Sequence, residues 1–335
     1  MIPQESMLVV LVKMIDLIPT PAVGPAKQGR PITYPEKLFL KALLIMIVKH
    51  LHRVHELLSV LNEPTFEIQQ LRGAVAPLTE NGRYPARRTW ERRLKGLPAS
   101  LPAQIGCFGR YLVELIAPWA SCGRAVAVDS TVLRSNGGVW HKKDREKGEV
   151  PHSSIDTEAH WTKSGWHGWV YGWKLHIACA VAAVWIPLSA QLTSANVADN
   201  EVAPALIHEL PPEAHLILGD LHYNAPNVRE VCEQTDRLLV TAQYGPYPHT
   251  DPGVEVRRIF HTPRQAAAVR SLAIENFNEH FKGIFDGQGQ VPTQGLFNTQ
   301  RFALGAIFVY QLALLYRFQH GLDLNIGLKA FIKAI

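Results

Sequence analysis

Two short apolar stretches of this chain each carry an aspartate where an aliphatic side chain would be expected, and that anomaly limits the possible folds more than any other feature. Arg124 to Leu133 (RAVAVDSTVL) is β-branched and apolar, and reads as a buried strand with Asp129 at its centre. His215 to Leu221 reads as another strand, in which Asp220 follows the run Leu216-Ile217-Leu218-Gly219. A carboxylate in such surroundings is costly unless something pairs with it.

One aspartate of this kind is more often a helix cap or a satisfied structural residue. A second changes the balance. Side by side, the two would repel and raise each other's pKa unless a divalent cation lay between them. Oxygen ligands and a phosphate substrate point to Mg²⁺. A two-metal phosphodiester site, with ions about 4 Å apart, normally takes a third carboxylate. The helix expected over Pro263 to Phe285 offers Glu275 and Glu279 one turn apart, and its residues leave both open. Glu275 follows Leu272 and Ile274 and so borders the apolar side, which favours it mildly.

The surrounding pattern gives the frame. Trp169 to Val181 and Ile186 to Asn196 read as strands joined near Ala182 and Ala183, Asp199 to Leu210 and Asn224 to Gln234 as helices, and Arg237 to Gln243 as a short strand. Three strands in succession followed by helix–strand alternation predict an α/β fold, a mixed sheet flanked by helices. His141 to Gly165 is polar and without periodicity, and reads as a loop. Gln294 to Gln319 reads as a last helix.

The first third has a different texture. Apolar residues recur at helical spacing from Tyr34 to Asn62, giving two packed helices closed by Asn62-Glu63-Pro64. After Pro85 a further helix carries Trp90, Leu94 and Leu97 as one stripe and Arg88, Arg92 and Lys95 on the far side, with Arg87 and Arg93 adding charge. Residues 1–120 hold 15 Lys/Arg against 9 Asp/Glu, and the remainder 19 against 20. The basic excess of a chain with net charge +5 thus lies wholly in the N-terminal third, as expected where that part meets a polyanion. The helix from Pro85 is a candidate for DNA-backbone contact, the alternative being a solvated surface helix.

Other classes are poorly supported. Cys107, Cys122, Cys179 and Cys232 have no paired spacing for zinc or a disulfide framework, and read as reduced thiols. The 15 histidines form no helix-borne metal motif, and His50, His52 and His55 read as surface or helix-packing residues. No uninterrupted apolar run approaches the length of a membrane span, and Glu5 precedes the apolar patch Met7 to Val12 where an export signal would carry positive charge. The expectation is a cytoplasmic protein with no membrane partner.

Taken together, these residues resemble the DDE transposases of bacterial insertion sequences, whose catalytic domain has a ribonuclease H-like fold. Val128-Asp129-Ser130-Thr131 is similar to the strand bearing that family's first carboxylate, and Asp220-Leu221-His222-Tyr223 to the second, which a tyrosine commonly follows three residues on. Glu275 and Lys282 match its glutamate, six residues, lysine signature. Gly172-Trp173-Lys174-Leu175-His176 resembles the family's second strand, Ala195 to Asn200 the turn after its third, and Gly29-Arg30-Pro31 its N-terminal region. Two departures stand out: the arginine usual four residues before the glutamate is Ser271, with Arg270 one step away, and the tyrosine seven before it is Ala268.

The resemblance implies a helical, helix-turn-helix-like DNA-binding domain over 1–120, a ribonuclease H-like catalytic domain over 121–290, and a C-terminal helix and tail over 291–335 packing on it. It implies Asp129, Asp220 and Glu275 as ligands of two Mg²⁺ ions, replaceable by Mn²⁺, with Lys282 on a phosphate near the cut. The substrates implied are double-stranded DNA bearing terminal inverted repeats and target DNA, handled by a homodimer. The rival readings are a non-catalytic DNA-binding descendant and a ribonuclease H-like hydrolase of RNA.

Overall fold

The computed structural model describes residues 6–22, 33–80, 82–118, 125–165, 168–181, 184–241, 263–283 and 289–324. Gly29-Arg30-Pro31, Cys122, Phe285 and the junction at Ala182 and Ala183 lie outside them.

The N-terminal part is helical. Helix α1 (Met7–Met14) is capped by the Ser6 hydroxyl, α2 (Glu36–Val48) follows, and α3 (Val54–Leu61) begins where Glu56 reaches back to the N–H groups of His52 and Arg53. Helix α4 (Phe66–Val75) starts on Thr65, whose hydroxyl accepts from Ile68 N. Every residue of α2 from Leu38 to Val48 is buried, as in a helix surrounded by others. Even Lys41 is buried, its Nζ 2.7 Å from Asp16 Oδ2 and 2.7 Å from the Ala74 carbonyl, so that one ammonium ties the turn after α1 to α2 and α4. Helix α5 (Arg87–Gly96) buries Trp90 and Leu94, as its apolar stripe requires, and α6 (Leu101–Ile116) leads towards the sheet. His52 stacks edge-on against Phe302, in keeping with a helix-packing role.

The sheet is built from β1 (Ala125–Arg134), β2 (His160–Ser164), β3 (Gly168–Val181), β4 (Trp185–Ser194), β5 (Leu216–Gly219) and β6 (Leu238–Thr241). The long strand β3 lies antiparallel to β1, and its other edge is shared by β2 along Gly168 to Gly172 and β4 along Trp173 to Val181. Beyond β1 come β5 and then β6, both parallel to it. Parallel neighbours need crossovers, supplied by α8 (Asp199–His208) and α9 (Pro226–Gln234). Antiparallel strands first, parallel strands after, and helices around them make this the ribonuclease H-like mixed sheet that the sequence predicts.

One expectation fails. His141 to Gly165 is not a plain loop: it contains α7 (Lys142–Lys147) and β2. Strand β2 forms because the first half of β3 offers it a ladder, a tertiary reason that a polar sequence does not display.

Helix α10 (Pro263–Lys282) lies against β1, β3 and β5, and α11 (Leu296–Gln319) against both β4 and the helices α1, α2, α5 and α6. Helix α11 is long and apolar enough to cross a membrane, unlike any run singled out in the sequence, but 83% of its most apolar window is buried within the protein. Its Gln311 Nε2 donates to the carbonyls of Ile105 in α6 and Pro187 in β4, both at 2.9 Å. One hydrophobic core therefore runs from the N-terminal helices into the sheet.

Candidate active site

The parallel register pairs Ala125 with Leu216, Val126 with Ile217 and Ala127 with Leu218. Asp129 in β1 and Asp220, just past the end of β5, each lie two residues beyond the last of these pairs, so both come to the same end of neighbouring strands, where the charge of Asp220 acts on Asp129. Asp220 follows β5 directly and caps the turn Leu221–Tyr223, its Oδ1 accepting from His222 N at 2.8 Å. Asp129 Oδ1 accepts from the N–H of Ser130 at 2.8 Å, and its Oδ2 accepts from Arg270 Nη1 at 2.8 Å.

Burial pushes the Asp129 carboxyl up to about 6; the Arg270 guanidinium and the Ser130 N–H oppose this, and the charge of Asp220 adds to it. Asp129 thus sits where a nearby positive charge is favourable, and Arg270 supplies it. The donor set is all oxygen and partly desolvated, which suits a hard divalent cation completed by phosphate oxygens.

Tyr223 forms the floor. It is buried, and a Cβ on Gly219 would come within 2.7 Å of its own Cβ, so the glycine before Asp220 makes room for the ring. Burial and the charges of Asp129, Asp199 and Asp220 hold its phenol well above the ordinary range, and it stays protonated.

A second polar group joins the two motif segments. Lys174 Nζ lies 2.9 Å from the Val197 carbonyl and 3.1 Å from Asp199 Oδ1, while the buried His176 places Nε2 2.9 Å from Thr193 Oγ1 and Nδ1 3.5 Å from Asp199. Burial lowers the His176 pKa, so the ring is neutral. This cluster fixes the start of α8 to β3.

The other expected residues lie elsewhere. Glu275 and Glu279 are exposed on α10, and Lys282 near its end is partly buried, with its pKa lowered by that burial. Among the described residues no three or more His, Cys, Asp and Glu side chains gather where they could hold a metal ion. From the same helix it is Arg270 that reaches Asp129. Sequence reasoning noted Arg270 only as a displaced arginine, yet it interrupts the buried stripe Ala266, Ala273, Ile274, Phe277 and Phe281, and a cation on an apolar stripe is a readable signal.

On α5, Arg88, Arg92 and Lys95 are exposed. Arg87 pairs with Glu91 at 2.8 Å, and Arg93 lies over the Phe39 ring, 4.8 Å from its centroid. Both therefore have partners within the protein.

A comparison with curated proteins finds no match. A family model does match: residues 120–258 fit the transposase DDE domain. The matched stretch contains Asp129, Asp220 and the five-strand frame from β1 to β5 together with β6, and it ends before α10. The aspartates at the ends of adjacent parallel strands and this match agree, and residues 120–258 of the chain are similar to the transposase DDE domain.

Proposed function

We propose that this transposase cleaves the ends of an insertion sequence and joins the freed 3′ hydroxyl to target DNA, with Asp129, Asp220 and Glu275 as its metal-binding carboxylates. The observation that carries the reading is the Asp129–Asp220 pair at one end of neighbouring parallel strands, with a raised Asp129 pKa. Bound there, Mg²⁺ ions would activate the attacking oxygen and offset charge on the leaving one. Asp129 and Asp220 orient the site from the rigid sheet, Tyr223 supports them from below, and Arg270 balances their charge until a cation replaces it. Glu275 completes the set once α10 presents it, and Lys282 contacts a phosphate near the cut. Residues 1–120 grip the DNA, residues 121–290 cut it, and residues 291–335 tie the two together, in a homodimer that holds both ends.

The test is cleavage of a plasmid carrying the inverted repeats that flank the gene, in Mg²⁺, in Mn²⁺ and in chelator. Nicks at the repeat boundaries in either metal and none in chelator are expected. Repeat-specific binding with no metal-dependent nicking would leave only a DNA-binding descendant.

The pH dependence has a definite sign. Asp129 holds its proton more tightly in the folded protein than in the unfolded chain, so its contribution to stability is fully present below about pH 4 and is lost as pH rises through about 6. At neutral pH the ionised carboxylate is a burden that a bound cation relieves. Addition of Mn²⁺ without DNA should therefore raise the Tm at pH 7.5 and lose this effect by pH 5, where protons compete for Asp129. Arg270→Gln should shift the midpoint of that loss to higher pH, because the guanidinium lowers the Asp129 pKa. Differential scanning fluorimetry across pH reads both.

For DNA binding, Arg88, Arg92 and Lys95 are proposed as the main phosphate contacts, with Arg87 and Arg93 secondary because of their internal partners. Replacing the first three by alanine should lower the slope of log affinity against log salt by about 3. Fluorescence anisotropy with duplex DNA over a salt series measures it, and an unchanged slope would remove α5 from the interface.

A further inference from the structure

The β2–β3 hairpin presents an aromatic and basic face that neither the carboxylate pair nor α5 uses. Trp161 stands opposite Tyr171 and Lys163 opposite Trp169, so alternation puts all four side chains on one face. Trp169 is 67% exposed and Trp161 40%. Tyr171 is held in place by its hydroxyl, which donates to the Asp156 carbonyl at 2.6 Å, and the Trp161 ring leans on it at 5.4 Å between centroids. On the reverse side Val170 is buried and His160 meets Arg145 of α7 at 3.3 Å. The hairpin is thus backed on one face, while on the other Tyr171 is buried and the two indoles and Lys163 are exposed around it.

Two indoles on a buttressed strand pair are not needed to close the core, and rings held there lose little freedom when they stack on something flat. The same face of β3 continues through Trp173 and Leu175 to Ile177, which pairs with Asp129. At about 3.3 Å per residue, Tyr171 and Trp169 lie roughly 20 and 26 Å along the strand from the Asp129 level. At the stacked, duplex rise of about 3.4 Å per nucleotide, which an extended strand exceeds, the indoles sit at most about six to eight nucleotides from a phosphate at Asp129.

We infer that this face binds an unpaired DNA strand leading away from the cleavage site, with bases stacked on Trp161 and Trp169 and a phosphate on Lys163. Stacking demands bases freed from their partners, and the cation between the rings matches the charge of a strand that alternates base and phosphate. The position relative to the cut rests on the proposed role of Asp129; the binding itself does not.

The experiment measures affinity of the full chain in chelator, so that nothing is cut, for a blunt end duplex and for the same duplex with a single-stranded tail of about ten nucleotides. The tail should strengthen binding, and Trp169→Ala should weaken the tailed complex about tenfold while leaving the blunt one unchanged. Lys163→Ala should lower the salt slope of the tailed complex by about 1. Trp169→Phe should keep most of the tail effect, and shortening the tail below about six nucleotides should abolish it. Equal affinity of the wild type and Trp169→Ala for the tailed duplex would overturn the inference, as would a Trp169→Ala protein that loses self-association instead. Failure of the wild type to bind even the blunt duplex would count against the transposase reading itself.

Discussion

Asp129→Asn is expected to lower cleavage of element-end DNA by about 10³-fold or more while the protein stays folded and still binds that DNA. The substitution keeps the shape of the side chain and the oxygen that accepts from Ser130 N, and removes the charge together with the oxygen that accepts from Arg270. Burial already disfavours that charge, so the fold loses little with it. Asp220 would remain as a single carboxylate, too weak a donor to hold a cation against water, and the freed Arg270 would add to the local positive field. Single-turnover cleavage in Mg²⁺ and Mn²⁺, beside a gel shift in chelator, separates chemistry from binding. Activity within about tenfold of wild type would end the assignment. Glu275→Gln and Glu279→Gln belong in the same series: a loss comparable to that of Asp129→Asn should come from the first and not the second.

How much of this could be read from the residues depends on what holds each element. Strands β1, β3, β4 and β5 and helices α8 and α9 show their own periodicity, and the two aspartates are conspicuous because they break an apolar run. Strand β2 and helix α7 show no such pattern, since β2 takes its place from the ladder with β3 and α7 from contact with β2 through Arg145 and His160. Helices α1 and α4 show little beyond their Ser6 and Thr65 caps, being short, and take their place largely by packing on each other.

The third carboxylate marks a different limit. At about 100° per residue, Arg270 and Glu275 point about 140° apart around α10, so one orientation of the helix cannot aim both at Asp129. The sequence places both residues on the right helix, and only packing selects which of them faces the sheet. The buried stripe of α10 selects Arg270. For Glu275 to act, the DNA and cations must change that choice, and substitution at Arg270 is the lever on it.

Gly109→Ala should cost about 3 kcal/mol of stability, the upper end of what overpacking does. Gly109 sits where α6 lies directly on β4: an added Cβ would clash with the Pro187 carbonyl and come within 3.2 Å of Gln311 Nε2 and a Leu188 methyl. A backbone carbonyl in a sheet cannot step aside as a side chain does. Gly106, one turn earlier, faces the Leu188 carbonyl at 3.1 Å, so two glycines let the helix approach the strand, and Gln311 then clamps α6 to β4 from α11. Gly73→Ala is the counterpart. That glycine lies inside α4 with nothing within 4 Å of its added Cβ, and alanine there should stabilise by about 0.5–1 kcal/mol. Urea titrations of both variants should move the midpoint in opposite directions. Equal, small shifts would mean that α6 and β4 are not tightly joined, and that the N-terminal helices and the sheet respond to DNA as separate bodies instead of through the shared core.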